Sequence, residues 1–312
     1  MPLGAAKAGL FGAAGSSGVA WSGDRGIAYG GAGNVNPESN VIDYFDITST
    51  GNASDFGDLT GAGTAHTGPS NGSRGVMCAV ENESIRMDYI TIGSTGNATD
   101  FGDMSEAGEW HGCSNGTRGV IAQEGGNEIE YITIASAGDA TDFGDLTVAR
   151  GNGVAISNGD DDRGVFAGGR GASASEDVID YVTMSSTGNA TDFGDLTEER
   201  DNLASCASET RGCFMGGYDH PATGTGNTNT IDYITIGSTG NASDFGDLLL
   251  KCRQFGGTSN LTRGVACGGV HDTSPQSESN VIQYITIGST GNATDFGDLT
   301  HSNRGTGALS GD

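Results

Sequence analysis

Short apolar runs separated by polar turns recur along the chain, and they predict strands rather than helices. In one stretch, the run 153–157 precedes a polar turn, and the run 164–169 ends in two glycines. The run 178–184 is rich in β-branched and aromatic residues, which are typical of strands. A fourth run, 191–196, follows a turn of Gly and Asn, which adopt positive φ easily. Because the third run is apolar on both faces, both faces must be covered.

This four-strand unit occurs six times. The tyrosines of the third strand recur every 42 to 52 residues, at Tyr44, Tyr89, Tyr131, Tyr181, Tyr233 and Tyr284. That period lies in the range of propeller blades. Each fourth strand carries one phenylalanine, as a wedge between sheets requires: Phe56, Phe101, Phe143, Phe193, Phe245 and Phe296. A residue needed in every copy is scaffold, so function must be sought where the copies differ.

The order of these features resembles that of kelch repeats, over nearly the whole chain. The second strand ends in a double glycine in four copies: Gly30-Gly31, Gly168-Gly169, Gly216-Gly217 and Gly268-Gly269. The chain departs from the kelch pattern in carrying Phe where Trp is usual, and only Arg150 and Arg200 match the regular arginine. We therefore expect an all-β fold, a six-bladed kelch-like β-propeller with four-stranded antiparallel blades.

A second resemblance concerns the amino-acid sequence of the repeat. The phrase Asp-Tyr-Ile-Thr-Ile-Gly-Ser-Thr-Gly-Asn-Ala-Thr-Asp-Phe-Gly-Asp-Leu-Thr resembles repeats in virion proteins of marine bacteriophages. The opening Met1 to Gly15 is similar to starts found among such proteins. This resemblance implies a non-enzymatic structural protein in the tail or capsid of a phage particle. The implied partners are other virion proteins and a host-surface glycan or receptor.

Two segments compete for the inner strand of the first blade. Residues 307–312 resemble the run 153–160, and residues 18–25 match it equally well. Either segment completes the blade, and exchange of a strand with another subunit is a third arrangement. In each case we expect terminal strands to close the ring and to remove its exposed edges. Residues 1–17 are then a Gly/Ala-rich arm, and residues 18–312 form a single propeller.

The charge excludes one class of partner. Formal net charge is −26, with only two lysines, Lys7 and Lys251. Nucleic-acid binding needs clustered Lys and Arg, so we expect none. An acidic surface repels anionic membranes and suits a saline habitat. No apolar run of about 18 residues occurs, so no membrane insertion is expected; the short apolar start could also be a secretory signal or an arm that docks onto another subunit.

Several motifs have simpler interpretations than the chemistry they suggest. Six copies of Asp-Phe-Gly without a kinase ATP loop are coincidence. The Asn-Ala-Ser/Thr triplets are formal glycosylation sequons, but turn chemistry explains them better. Pairs such as Asp55 and Asp58 could bind calcium, yet their sixfold repetition favours hydrogen bonds with backbone or with the recurring arginines. We expect no cofactor, with calcium as the alternative.

The cysteines show no zinc spacing, and they occupy positions held elsewhere by small or apolar residues. We interpret them mostly as reduced core residues. Cys206 and Cys213 flank one hairpin turn and could pair under oxidising conditions.

Candidate binding residues lie in the connections that vary between copies. Alternate connections of a four-stranded meander emerge on the same side, so the variable loops share one rim. Binding residues concentrate on loops held by a rigid scaffold. The candidates are Trp110, His111, Tyr218, His220, Arg253, Phe255, His271 and Arg304.

Two other functions stay open. The loops could vary without binding anything specific, which would leave a purely architectural protein. A carbohydrate-active enzyme on a propeller frame is the other alternative, although no unique carboxylate pair or copper-ligand set is visible. Histidines scattered over several loops favour solvated side chains over a metal site.

Overall fold

The computed structural model describes residues 21–33, 38–64, 68–78, 85–108, 110–123, 125–219, 226–272 and 277–312. The expected arm at 1–17, residues 18–20 and the candidate His220 lie outside these ranges.

Six small antiparallel sheets confirm the expected propeller of six blades. The second strands of blades 1 to 6 are Arg25–Tyr29, Arg74–Cys78, Arg118–Gln123, Arg163–Ala167, Arg211–Met215 and Arg263–Cys267. The third strands are Val41–Asp46, Arg86–Thr91, Glu128–Thr133, Val178–Thr183, Thr230–Thr235 and Ser277–Thr286. The outer strands are Ser54–Asp58, Thr99–Asp103, Thr141–Asp145, Thr191–Asp195, Ser243–Asp247 and Thr294–Asn303.

The inner strands surround the central axis. Those of blades 1, 3, 4, 5 and 6 are Gly307–Gly311, Trp110–Ser114, Val154–Ser157, Ala204–Ala207 and Gly256–Ser259. In blade 2 the described part of the innermost segment, residues 68–72, pairs with the second strand through a bridge between Ser70 and Gly75. One 3-10 turn, Gly159–Asp161, and four short strands complete the described elements: Tyr218–Asp219, Gly226–Asn227, Cys252–Arg253 and Val270–His271.

The ring is closed by the strand Gly307–Gly311, which completes blade 1. It pairs antiparallel with Arg25–Tyr29, so that Ala28 lies opposite Ala308 and Ile27 opposite Leu309. Of the two segments that compete for this place in the sequence, the later one therefore occupies it. The blade combines one strand from the far end of the sequence with three from residues 25–58.

The connections lie on the two rims as the meander predicts. We call the side with the turns after the inner and third strands the uniform rim, and the opposite side the variable rim. On the uniform rim, Ile92 N donates to Ser73 O at 2.8 Å, which joins the two turns of blade 2. On the variable rim, Leu146 N donates to Asn127 O at 2.7 Å and joins the two loops of blade 3.

The repeated aromatic residues form the wedges between blades. All six phenylalanines of the outer strands are buried, at 2–3% exposure. Each packs edge-to-face against the tyrosine of its own blade, with ring centroids 6.0–6.2 Å apart. Such pairs contribute about 0.5–1.5 kcal/mol beyond the area they bury. The expectation of one wedge per blade is confirmed.

The recurring arginine of the second strand connects each blade to the next. Its guanidinium lies 4.1–5.0 Å from the centre of the tyrosine ring in its own blade. The same group donates to a main-chain oxygen of the following blade, as Arg163 does to Ile236 O at 2.9 Å. Arg263 of blade 6 donates to Ile47 O of blade 1 at 2.8 Å, which completes the circle.

The sequon asparagines connect blades through their side chains. The interpretation that they supply positive φ to a turn is corrected, because none of them has positive φ. Asn189 Oδ1 accepts a hydrogen bond from Asp145 N at 3.3 Å in the preceding blade. Asp139, which replaces the asparagine in blade 3, accepts one from Asp103 N at 3.1 Å. The turn approaches the outer strand so closely that a Cβ on Gly194 would lie 2.6 Å from the Gly240 carbonyl. Only glycine fits there, because its φ of 147° is also unfavourable for other residues.

The recurring arginines do not pair with Asp55 and Asp58, and this part of the sequence interpretation is corrected. Their guanidinium groups are held by the tyrosine rings instead. The buried carboxylates that accept hydrogen bonds belong to the third strand. Asp232, for example, accepts from Thr197 Oγ1 at 2.6 Å.

Two of these carboxylates carry a buried arginine partner. Arg150 Nη1 lies 2.8 Å from Asp180, and Arg200 Nη2 lies 2.8 Å from Asp232. Blade 6 has neither charge, because Cys252 replaces the arginine and Gln283 the carboxylate. Gln283 Oε1 instead accepts from Leu249 N at 2.9 Å. The two positions thus change together within this chain.

All six cysteines are free thiols in buried positions, as expected. Burial raises the pKa of Cys78, Cys113 and Cys267 to about 12. Cys206 lies directly opposite Cys213 across the hairpin of blade 5, without a disulfide. Within the described ranges, no helix has the length and hydropathy that crossing a membrane requires.

Candidate functional site

The structure divides the candidate residues into core, rim and undescribed positions. Trp110 is fully buried between blades 2 and 3, and Phe255 is buried between blades 5 and 6. Both begin an inner strand or precede one, so their side chains point between sheets rather than to solvent. Their proposed place on a binding surface is corrected, because the apolar position before each inner strand serves packing.

His111 is also buried, and it lines a cavity of about 10 Å³ together with Gln123 and Arg150. A cavity of that size holds about one water molecule. Arg304 is exposed, and its main chain pairs with that of Ala32 through hydrogen bonds of 2.7 and 2.9 Å. The next residue, Gly305, donates its N–H to Gln254 O at 2.7 Å, so the main chain at Arg304 runs close to that of Arg253 and Phe255. His220 lies outside the described ranges.

Tyr218, Arg253 and His271 come together on the variable rim. Tyr218 belongs to the short hairpin of blade 5, and Arg253 and His271 to two short strands of blade 6. The guanidinium of Arg253 lies 4.6 Å from the centre of the Tyr218 ring. Such a cation–π contact orients the arginine at low cost in side-chain freedom.

Asn227 fastens the two blades together, although no pattern in the sequence pointed to it. It is fully buried beneath this cluster. Its Oδ1 accepts a hydrogen bond from Arg253 at 3.1 Å, and its Nδ2 donates to Val270 O at 2.9 Å. Because Tyr218 is paired with Asn227 in the hairpin, one residue positions both members of the stacked pair.

The imidazole of His271 is nearly buried, and burial lowers its pKa below the ordinary value. Its Nε2 has no hydrogen-bond partner among the described residues. A neutral ring in this position can still donate or accept one hydrogen bond. His271 lies opposite Cys252 on the adjacent strand, and burial raises the pKa of that thiol well above its usual value. Cys252 is therefore an unreactive thiol at neutral pH.

Leu249 and Leu250 provide an apolar surface beside this cluster. They are the most exposed large apolar side chains among the described residues, at 47% and 46%. Their counterparts in blade 5 are Thr197 and Glu198, so both positions depart from the repeat. A comparison of the aligned loops could have found them. Lys251 follows directly and, with Arg253, puts two cations on a strongly acidic molecule.

We call this part of the rim the 5–6 sector. It is formed by Tyr218, Asn227, Leu249, Leu250, Lys251, Arg253 and His271. Acidic residues border it, since the carboxylate of Asp272 lies near Gly226. An aromatic ring, a fixed guanidinium, apolar side chains and bordering carboxylates are groups that bind sugars or the surface of another protein.

The central channel is too small for such a ligand. Inner-strand serines surround a cavity of about 70 Å³, and they connect neighbouring blades. Ser157 Oγ donates to Ser114 O, and Ser310 Oγ to Ser259 O, each at 2.7 Å. At the variable rim the channel narrows to a cavity of about 20 Å³ beside Asn152, Asn202 and Gln254. Both spaces suit ordered water.

A larger cleft, of about 470 Å³, lies on the uniform rim of blade 1. Its wall includes Arg25 and Tyr44, which make the same scaffold contacts as their counterparts in every blade. Its size therefore favours this cleft as the binding site, whereas departure from the repeated sequence favours the 5–6 sector. We give more weight to the departure, because scaffold residues cannot distinguish one blade from another. Within the described ranges, no three His, Cys, Asp or Glu side chains are grouped to hold a metal ion.

Comparison with known proteins supports the fold alone. No family model and no curated protein sequence matches the chain. Among solved structures, 507 chains match, so the architecture is widely shared and does not select a function. One of them is the structure of YjhT, with a TM-score of 0.62 and 8% sequence identity. The match covers 77% of this chain and 85% of that one.

Proposed function

We propose that this protein is a non-enzymatic structural component of a phage particle that binds a partner through the 5–6 sector. The partner is a host-surface glycan or a neighbouring virion protein. One observation carries the binding role: Leu249, Leu250, Arg253 and Tyr218 depart from the repeat at one place on the rim, and the buried Asn227 holds two of them in position.

The likeness of the repeat to virion proteins of marine phages supports the location in a tail or capsid. The acidic surface is compatible with a particle exposed to sea water, because strong net charge keeps a protein soluble in salt. The unreactive thiol of Cys252 beside a neutral His271 favours binding over cysteine chemistry.

The test compares binding by the purified protein and two sector variants. Leu250→Glu introduces the residue that blade 5 carries at this position, and Arg253→Asp introduces the counterpart Asp201. Surface-immobilised host polysaccharide and proteins from dissociated particles are the two probes. We expect each variant to weaken binding to one of these probes by about tenfold or more, as truncation of a central contact does.

The chain offers a matched control in blade 4. Val148 occupies the position of Leu250 there, and it is also exposed. Val148→Glu therefore makes the same kind of change on the same rim but in another blade, and it should leave binding unchanged. Equal loss in Val148→Glu and Leu250→Glu would mean that added charge acts nonspecifically. If both sector variants bound as strongly as the wild type, the 5–6 sector would not be the binding site, and a purely architectural role would remain.

A further inference from the structure

Three residues at the mouth of the central channel, on the variable rim, have a left-handed backbone. Asn152, Asn202 and Gln254 each have a φ of 56°, and each lies two residues before the inner strand of its blade. They are three of the five non-glycine residues with positive φ in the described ranges. In blade 1, Gly305 takes the same place with a φ of 62°. We call these four residues the axial arc.

Main-chain hydrogen bonds join the axial arc from blade to blade. Asn202 N donates to Asn152 O at 2.7 Å, and Gln254 N donates to Asn202 O at 3.0 Å. Gly305 N then donates to Gln254 O at 2.7 Å. Chains joined in this way lie about 5 Å apart, so neighbouring side chains of the arc are within reach of one small ligand. The hydrogen bonds use backbone groups alone, and they would form with glycine at every position.

Glycine is the residue that this backbone favours. It adopts positive φ without steric conflict, whereas other residues are strained there. Asparagine tolerates the conformation better than most residues, but glutamine is not among those enriched in it. Gly305 shows that this chain accepts glycine in the arc. Strain kept at one position of several blades indicates a role for the side chains, because strained residues cluster at binding sites.

The side chains of the arc border the small cavity at the channel mouth. Asn152, Asn202 and Gln254 line this space of about 20 Å³, and all three are half-buried. Asn202 Nδ2 donates to the buried Asp201 at 2.5 Å, so this amide also supports the rim. Gln254 forms no side-chain hydrogen bond with another residue of the described ranges. The fold therefore explains Asn202 in part and leaves the strained Gln254 without a structural reason.

We infer that the axial arc is a saccharide subsite, in which the carboxamides of Asn152, Asn202 and Gln254 bind hydroxyl groups of one neutral sugar unit. A carboxamide has two donors and an acceptor, and a hydroxyl is both donor and acceptor, so the two groups satisfy each other. The cavity below holds about one water molecule, so the sugar ring lies across the mouth and not inside the channel. The net charge of −26 disfavours an acidic sugar.

The axial arc is continuous with the 5–6 sector. Gln254 directly follows Arg253, whose guanidinium stacks on Tyr218. A glycan held at the sector therefore extends towards the arc and places a further unit there. The inference deepens the proposed function and rests on it, since it selects the host-surface glycan as the partner over a virion protein.

Gln254→Gly tests the subsite, because it gives blade 6 the arc residue of blade 1. The probes are surface-immobilised neutral polysaccharide of the host, with free galactose, glucose and mannose as competitors. Binding should fall by about fivefold or more, the loss expected when a hydrogen bond of ordinary strength is removed. Tm should stay equal or rise, because glycine relieves the backbone strain. Weaker binding without a loss of Tm is a result that a merely structural residue would not give.

Two further variants separate the carboxamide from the backbone. Gln254→Asn keeps a carboxamide and should bind more tightly than Gln254→Gly; equal binding by the two would assign the loss to the backbone and overturn the inference. Leu261 also has a positive φ, of 75°, but lies in a turn of the uniform rim. Leu261→Gly relieves strain in the same way and should leave binding unchanged. Equal losses in Leu261→Gly and Gln254→Gly would also overturn the subsite.

The subsite and the proposed function fail in different ways. If Gln254→Gly binds as strongly as the wild type while Leu250→Glu binds more weakly, the axial arc is not a subsite and the 5–6 sector stands alone. If the wild type binds virion proteins through the sector but neither the polysaccharide nor a hexose, the saccharide inference is overturned and the binding role of the sector remains.

Discussion

Replacement of Arg200 by cysteine tests how the buried ion pairs act, because blade 6 already contains the result of a double change. Arg200 and Asp232 are both fully buried, 2.8 Å apart. Burial lowers the pKa of Arg200, and the nearby Asp232 and Glu198 oppose this effect. Arg200 also donates to Thr230 O at 3.1 Å, so its removal leaves a main-chain acceptor as well as a carboxylate without this partner.

The expected cost follows from the stranded charge. Removing one partner of a buried pair typically costs about 3–5 kcal/mol. Unfolding entropy is about 2.1 cal/mol/K per residue near 60 °C, and the chain has 312 residues. Arg200→Cys should therefore lower Tm by about 5–8 °C for a single cooperative transition.

The double variant Arg200→Cys/Asp232→Gln reproduces the Cys252 and Gln283 of blade 6. It should recover most of the lost stability, because it leaves no unpaired charge. Scanning calorimetry of the wild type, the two single variants and the double variant gives the coupling directly. If the double variant is as unstable as Arg200→Cys, the pair acts through side-chain volume and not through charge, and the stranded-charge explanation is wrong.

Three further predictions concern single residues. Gly194→Ala should destabilise by about 1–3 kcal/mol more than Gly188→Ala, because both glycines have positive φ but only Gly194 touches the next blade; equal Tm losses would contradict this. Burial raises the pKa of Asp43, so the ionised form costs stability as pH rises through that pKa. Asp43→Asn should then have a higher Tm than the wild type at pH 7 and the same Tm below about pH 3.8, the ordinary pKa of an aspartate. If the difference in Tm grew as the pH fell, the pKa of Asp43 would not be raised by folding. Maleimide should label Cys78 at pH 7 far more slowly in the native protein than in urea, because its pKa of about 12 keeps it protonated; equal rates would place the thiol at the surface.

The sequence predicted the fold well because the repeat is strict. Period, glycine pairs and one aromatic residue per outer strand identify six blades without any distant contact. It could not choose the closing strand, because residues 20–24 and 308–312 are nearly identical. In the structure Leu309 of the later segment packs against Gly75, which belongs to another blade and is therefore invisible in the local pattern.

The candidate site was harder to predict, because the side chain at a variable position can face either solvent or the space between sheets. Trp110 and Phe255 vary between copies and are large, yet both fill gaps between sheets. Tyr218 and Arg253 were correctly brought together on one rim. Asn227 was missed, since its importance comes from hydrogen bonds to residues 26 and 43 positions away.

The arginine connections, the asparagine turns and the glycine contacts lie between the uniform rim and the outer strands, where they hold neighbouring blades together. The opposite loops also join blades, through the ion pairs of Arg150 and Arg200 and through Asn227, but their exposed segments can lengthen at small thermodynamic cost, about 0.6 kcal/mol for each doubling of a flexible loop. The loop sequences on one surface of this protein can therefore change repeatedly during evolution. The stability of the ring would be retained, because the contacts repeated in every blade lie away from those exposed loop segments.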